Sequence, residues 1–127
     1  LIGQRANLQV CTIHPLENRW TPDCIPAAAV MPDSGEHSPR DRYWIDPADL
    51  LRIMQSSRAE GNEIIGIYHS HPDHPALPSE CDRQLAWPEY AYVILSVNSR
   101  QILDYRCWQL NSDHQFQEVA IRFEHSA

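Results

Sequence analysis

Residues 63–82 read EIIGIYHSHPDHPALPSECD, from Glu63 to Asp82. Glu63-Ile-Ile-Gly-Ile-Tyr68 is apolar and β-branched, the pattern of a buried strand. Side chains of a strand alternate faces, so His69 and His71 point the same way, with Cα atoms about 6.6 Å apart. Both rings then reach one centre. Pro72, Pro75 and Pro78 stiffen the following loop, because each proline locks its φ. Ser79 opens a helix and Asp82 falls on its first turn, so the loop returns the helix start toward the strand end. Two imidazoles and one carboxylate with a fourth position open describe a catalytic zinc site; a structural site closes its shell with four protein ligands. A lone histidine at a strand end is an ordinary surface residue, and Ser79-x-x-Asp82 taken alone is a capping box with Asp in place of Glu or Gln. The two histidines on one face, with the carboxylate beyond a stiff loop, favour the metal.

The same stretch resembles the core of the JAB/MPN metalloproteases, the JAMM motif: His-x-His-Pro, then Pro-Ser-x-x-Asp at the end of the loop. The flanks agree, with Ile45-Asp-Pro-x-x-Leu50 at a helix start, Ile64-Ile-Gly-Ile67 before the histidines and Ala86-Trp-Pro88 before a strand. The resemblance covers residues 43–110 and is closest to the small bacterial branch, which acts on peptides or amino acids attached to ubiquitin-like sulfur-carrier proteins. It implies an α+β, MPN/JAB-like domain: a mostly antiparallel mixed sheet flanked by helices. It implies Zn2+ held by His69, His71 and Asp82, and Ser79 steadying the oxyanion of a tetrahedral intermediate. The expected reaction is hydrolysis of an amide bond at the C-terminus of the carrier.

The family also uses a glutamate as general base, a few residues before a Gly-Leu-Leu-x-Gly strand. Leu1-Ile2-Gly3 falls inside that strand, which puts the glutamate ahead of Leu1. Glu63 lies about 20 Å along the strand from His69, beyond proton-transfer reach. Glu80 does not share the helix face of Asp82, and Glu89 lies past Pro88. The chain therefore reads as part of a longer polypeptide. The alternatives are an MPN-type scaffold that binds a partner without cleaving it, and a non-haem iron enzyme, whose facial triad also uses two histidines and a carboxylate. The ligand order and the Pro-Ser-x-x-Asp helix speak against iron.

Residues 1–127 fit a single domain, being too few for two ordinary ones. The net charge of −7, from 10 basic and 17 acidic side chains, argues against nucleic-acid binding. No apolar run approaches a membrane span. Cys11, Cys24, Cys81 and Cys107 form no CxxC pair and read as free thiols of a cytoplasmic protein, Cys81 as a packed one. Residues 15–39 carry five prolines and read as an irregular loop or insertion. Strands are expected at 8–13, 43–45, 90–97, 102–110 and 116–123. Asp46 and Pro47 start a helix whose buried stripe is Leu50, Leu51 and Met54, ended by Gly61. Trp87, Trp108, Tyr105 and Phe123 read as core or sheet packing, and His74 as an exposed loop residue.

Overall fold

The computed structural model describes residues 1–20 and 43–123; the proline-rich stretch past Trp20, with Cys24, lies outside the described residues. The chain divides into two compact units, Leu1–Ile67 and Tyr68–Ala127.

In the first unit Ile2–Gln4 forms β1, Gln9–Thr12 forms β2 and Glu63–Ile64 forms β3, in the order β2-β1-β3. Both pairings are antiparallel, with Ile2 opposite Ile64 and Gly3 opposite Glu63. Pro47–Ala59 forms α1. Its N-cap is Asp46, whose carboxylate accepts from the Ala48 N–H at 2.8 Å. Gly61 takes a φ of +77° just past the last turn, where a β-carbon is disfavoured. The buried face of α1 is Ile53 and Ser57, with Leu50 and Met54 half-buried. Leu51, expected inside, is 54 % exposed. Positions 50, 53, 54 and 57 follow the three–four spacing of one helix face, and position 51 turns about 100° away from it. The strand expected at 43–45 does not form: the Trp44 carbonyl accepts from the Arg19 N–H and the Trp44 N–H donates to the Asn18 side chain. Those groups are thereby withheld from a ladder.

Gly3 lies where β1 and β2 come closest. A β-carbon there would collide with the Gln9 carbonyl oxygen and stand 2.9 Å from its carbon and 3.1 Å from the Cys11 nitrogen. Both are backbone atoms that cannot rotate aside. Gly3→Ala is expected to cost about 1–3 kcal/mol or more, read as a lowered urea midpoint. A midpoint equal to that of the natural chain would mean that β2 yields freely.

In the second unit the sheet order is β4-β5-β6-β7, with Gly66–Pro72, Ala91–Asn98, Gln101–Leu110 and Phe116–Val119 as the strands. β5, β6 and β7 run antiparallel in sequence order. Ser99 and Arg100 both take positive φ (47° and 68°) in the two-residue turn between β5 and β6, the twist that closes a tight hairpin. The Asp73 N–H, just past β4, donates to the Val97 carbonyl near the end of β5 at 2.8 Å. These strands thus end on the same side, as strands joined by a helical crossover do. That crossover holds α2, Glu80–Leu85. Tyr92, Ile94 and Ser96 alternate onto the buried face of β5, joined in the core by Ala76, Cys81, Ala91, Cys107 and Leu110. The elements are those of the expected α+β class. Their limits differ mainly at β7, which stops at Val119 instead of 123. Trp87, Tyr105 and Phe123 are 60 %, 46 % and 69 % exposed, so they are not core residues. Tyr105 and Phe123 do meet edge to face, with centroids 5.8 Å apart.

Candidate metal centre

β4 turns His69 and His71 to one side, as its period of two requires, with ring centroids 5.0 Å apart. α2 supplies Asp82. Ser79 is the N-cap: its hydroxyl accepts from the Asp82 N–H at 3.0 Å, and the Asp82 carboxylate accepts from the Ser79 N–H at 2.8 Å. This reciprocal capping box fixes the rotamer of Asp82 as well as the helix start.

The three side chains converge. Nε2 of His69 and Nε2 of His71 are 3.1 Å apart; Asp82 Oδ1 lies 3.3 Å from the first and Oδ2 lies 3.2 Å from the second. A tetrahedral ion with bonds of about 2.0–2.1 Å needs its donor atoms about 3.3 Å from one another. The two imidazole nitrogens are near that separation and each meets one of the two Asp82 oxygens; with one donor atom taken from each residue, all three lie within 4.8 Å of one another. The side chains are 9 %, 17 % and 10 % exposed, shielded yet still reached by solvent.

Proton placement makes the case stronger. Nδ1 of His71 lies 3.0 Å from the Pro75 carbonyl oxygen. A carbonyl only accepts, so Nδ1 carries the proton, and in the neutral ring Nε2 is bare. A bare nitrogen beside a carboxylate oxygen and a second imidazole is repulsive unless a cation or an extra proton lies between them. The donor set and its spacing fit zinc.

The titration of these groups reflects that crowding. Burial pulls the His71 imidazolium down, but the hydrogen bonds to Asp82 and to the Pro75 carbonyl outweigh it, and its pKa stands above the ordinary value. Burial pushes the Asp82 carboxyl up, but hydrogen bonds from His69 and His71 outweigh that, and its pKa falls far below the carboxylate range. A raised histidine stabilises the fold fully below its unfolded pKa of about 6.5, and that stabilisation is lost as pH rises through the folded value. A depressed aspartate stabilises above its unfolded pKa of about 3.9, and that stabilisation is lost as pH falls through the folded value. Metal-free protein is therefore expected to melt highest between about pH 4 and 6.5 and lower at pH 8. Zinc competes with protons for the same atoms, so its stabilising effect should grow across that rise. Thermal melts from pH 5 to 8.5, with chelator and with zinc, check both slopes. A metal-free Tm that does not fall toward pH 8 would contradict the raised His71 pKa.

His69, His71, Asp82 and Ser79 are thus brought together as the spacing predicts. Cys81, buried beside Asp82, is a packed thiol. Glu63 pairs with Arg5 at 2.8 Å, and Glu80 with Arg83. Three contributors were not legible. Ser96 and Trp108 hold the proline loop through its carbonyls. His114, in the β6–β7 turn with a φ of +58°, donates from Nε2 to the Arg83 carbonyl near the end of α2 at 3.1 Å. One signal was available for Ser96: a hydroxyl on an otherwise apolar strand face needs a partner.

Residues 1–111 match the family described as prokaryotic homologs of the JAB domain. The desampylase of Haloferax volcanii is 40 % identical over 63 residues, 49 % of this chain and 45 % of that protein. A Thermus thermophilus protein named "Probable TtuB-protein conjugate cleaving protease" is 40 % identical over 70 residues, 54 % of this chain and 47 % of that one. The chain thus spans about half the length of the curated relatives it matches. A solution structure of a Salinibacter ruber protein superposes with a TM-score of 0.63 at 27 % identity, covering 95 % of this chain and 72 % of that one. With its fold and its match over residues 1–111, the chain belongs to the prokaryotic homologs of the JAB domain.

Proposed function

We propose that the protein is a zinc-dependent peptidase that hydrolyses amide bonds at the C-terminus of a ubiquitin-like sulfur-carrier protein. One observation carries this reading: His69, His71 and Asp82 bring donor atoms within 4.8 Å of one another, with the Asp82 carboxylate spanning the two imidazole nitrogens and His71 Nδ1 against the Pro75 carbonyl. The names of the relatives, two of them desampylases and one a protease that cleaves TtuB-protein conjugates, support a protein conjugate as substrate.

His69, His71 and Asp82 would hold the ion. Zinc, when bound, supplies a Lewis acid and brings the pKa of a water at its open position to about 7. The chain's own residues do the rest. The Ser79 hydroxyl accepts from the Asp82 N–H, which leaves its own proton to donate to the oxyanion that develops from the scissile carbonyl. The capping box holds that hydroxyl and the Asp82 carboxylate in one rigid turn. The family resemblance also calls for a glutamate as general base, which would take the proton of the attacking water and pass it to the leaving amine.

No helix among the described residues is long and apolar enough to cross a membrane. Among the described residues Cys11 and Cys107 are free thiols, which supports a reducing cytoplasm.

The test is hydrolysis of a carrier–peptide fusion by the full encoded chain. Cleavage is expected at the carrier terminus, lost with chelator and restored by zinc. Tight binding of the conjugate with no cleavage by zinc-loaded protein would favour a scaffold. Native protein carrying iron would favour the oxidative alternative.

A further inference from the structure

The loop between β4 and α2 has an unusual backbone requirement. Pro72, Pro75 and Pro78 offer no N–H, so the loop cannot satisfy its own carbonyls by a ladder or a helix. Three successive carbonyls are instead taken by side chains from three different strands. The Ser96 hydroxyl of β5 donates to the His74 oxygen at 2.6 Å. His71 Nδ1 of β4 donates to the Pro75 oxygen at 3.0 Å. The Trp108 indole Nε1–H of β6 donates to the Ala76 oxygen at 3.1 Å. Ser96 is 8 % exposed and Ala76 is 2 % exposed, so the outer two bonds are part-buried, while the middle one lies at the exposed rim of the loop.

The middle bond is the one that selects the His71 tautomer, and the outer two hold the peptide planes on either side of it. A carbonyl that swung away from Nδ1 would let the proton move to Nε2, the atom that faces Asp82 and His69. We infer that Trp108 and Ser96 are positioning residues for the metal centre: they clamp the loop so that the Pro75 carbonyl keeps His71 in its metal-binding tautomer. Neither residue touches the ion or the substrate. The inference rests on the metal reading for its affinity consequence. The tautomer itself is a property of the metal-free protein and stands apart from that reading.

The experiment uses Trp108→Phe, which keeps an aromatic ring while removing the donor and part of the indole's bulk, and Ser96→Ala as an independent second variant that removes only a hydroxyl. Tyr92→Phe is the control. The Tyr92 hydroxyl accepts from the Trp87 N–H at 2.7 Å, so that variant also removes a part-buried hydrogen bond of the same unit, beside Trp108 across the strand pair but without a bond to the loop carbonyls. Two quantities are read at one fixed alkaline pH, where the His71 ring is neutral: zinc Kd by competition with a chromogenic chelator, and the His71 tautomer by long-range proton–nitrogen correlation in metal-free protein.

Natural protein should show His71 protonated at Nδ1 alone. Trp108→Phe and Ser96→Ala should each populate the other tautomer and raise the zinc Kd about 10–100-fold, the usual penalty for disturbing a residue that orients a ligand. Tyr92→Phe should lower Tm without either change. An unaltered tautomer and Kd in both loop variants, whatever their Tm, would overturn the inference. An equal rise in Kd for Tyr92→Phe would do the same, since loss of stability would then explain the effect. Natural protein that binds no zinc but shows the tautomer shift in the loop variants would retain the clamp and remove the peptidase reading instead.

Discussion

Asp82→Asn is expected to abolish zinc-dependent turnover while leaving the helix start in place. The amide oxygen still accepts from the Ser79 N–H, so the capping box survives in outline. What disappears is the negative charge, held ionised far below the carboxylate range between two imidazoles. Apparent binding of about 10–16 kcal/mol spread over four ligands is roughly 3–4 kcal/mol per ligand, or about 10²–10³ in Kd. His69→Ala should lose as much. Metal content after dialysis should fall from about one zinc per chain toward none. Activity should fall with it, because the ion would lose its anionic ligand. An Asp82→Asn variant that retains zinc and turnover at natural levels would remove this triad as the metal site.

Ser79 separates capping from chemistry. Loss of one oxyanion donor costs about 10²–10³ in kcat. Loss of an N-cap hydroxyl to alanine costs about 1 kcal/mol, and to glycine only a few tenths. Ser79→Ala should therefore lower Tm by about 4 °C and turnover far more. Ser79→Gly should melt close to the natural protein and be equally inactive. Zinc content should stay near natural in both, since the hydroxyl is not one of the three donor atoms. Turnover within a few-fold of natural in the glycine variant would leave Ser79 as a cap and nothing more.

These two outcomes rest on residues that local pattern made visible. The strand period put His69 and His71 on one side, and a serine three residues before an aspartate marked the start of α2. Both are short-range rules, satisfied by neighbours in the chain, and both hold in the folded protein. Where a position depended on a distant partner, the reading failed. Trp44 is kept out of a strand by Asn18 and Arg19, 26 and 25 residues earlier. Leu51 is apolar and on a real helix, yet it faces solvent because the buried side of α1 is centred on Ile53 and Ser57.

The convergence of His69, His71 and Asp82, the turn that bears Asp82 and the stiffness of the loop were all written in a run of twenty residues, because proline geometry, pleat alternation and helix capping act within a few bonds. The protonation of His71 was not written there. It depends on the Pro75 carbonyl, flanked by carbonyls held by a serine 22 residues beyond His74 and a tryptophan 32 residues beyond Ala76. Hydrogen bonds of that span exist only once β5 and β6 have folded beneath the loop, and no local periodicity encodes which donor meets which oxygen.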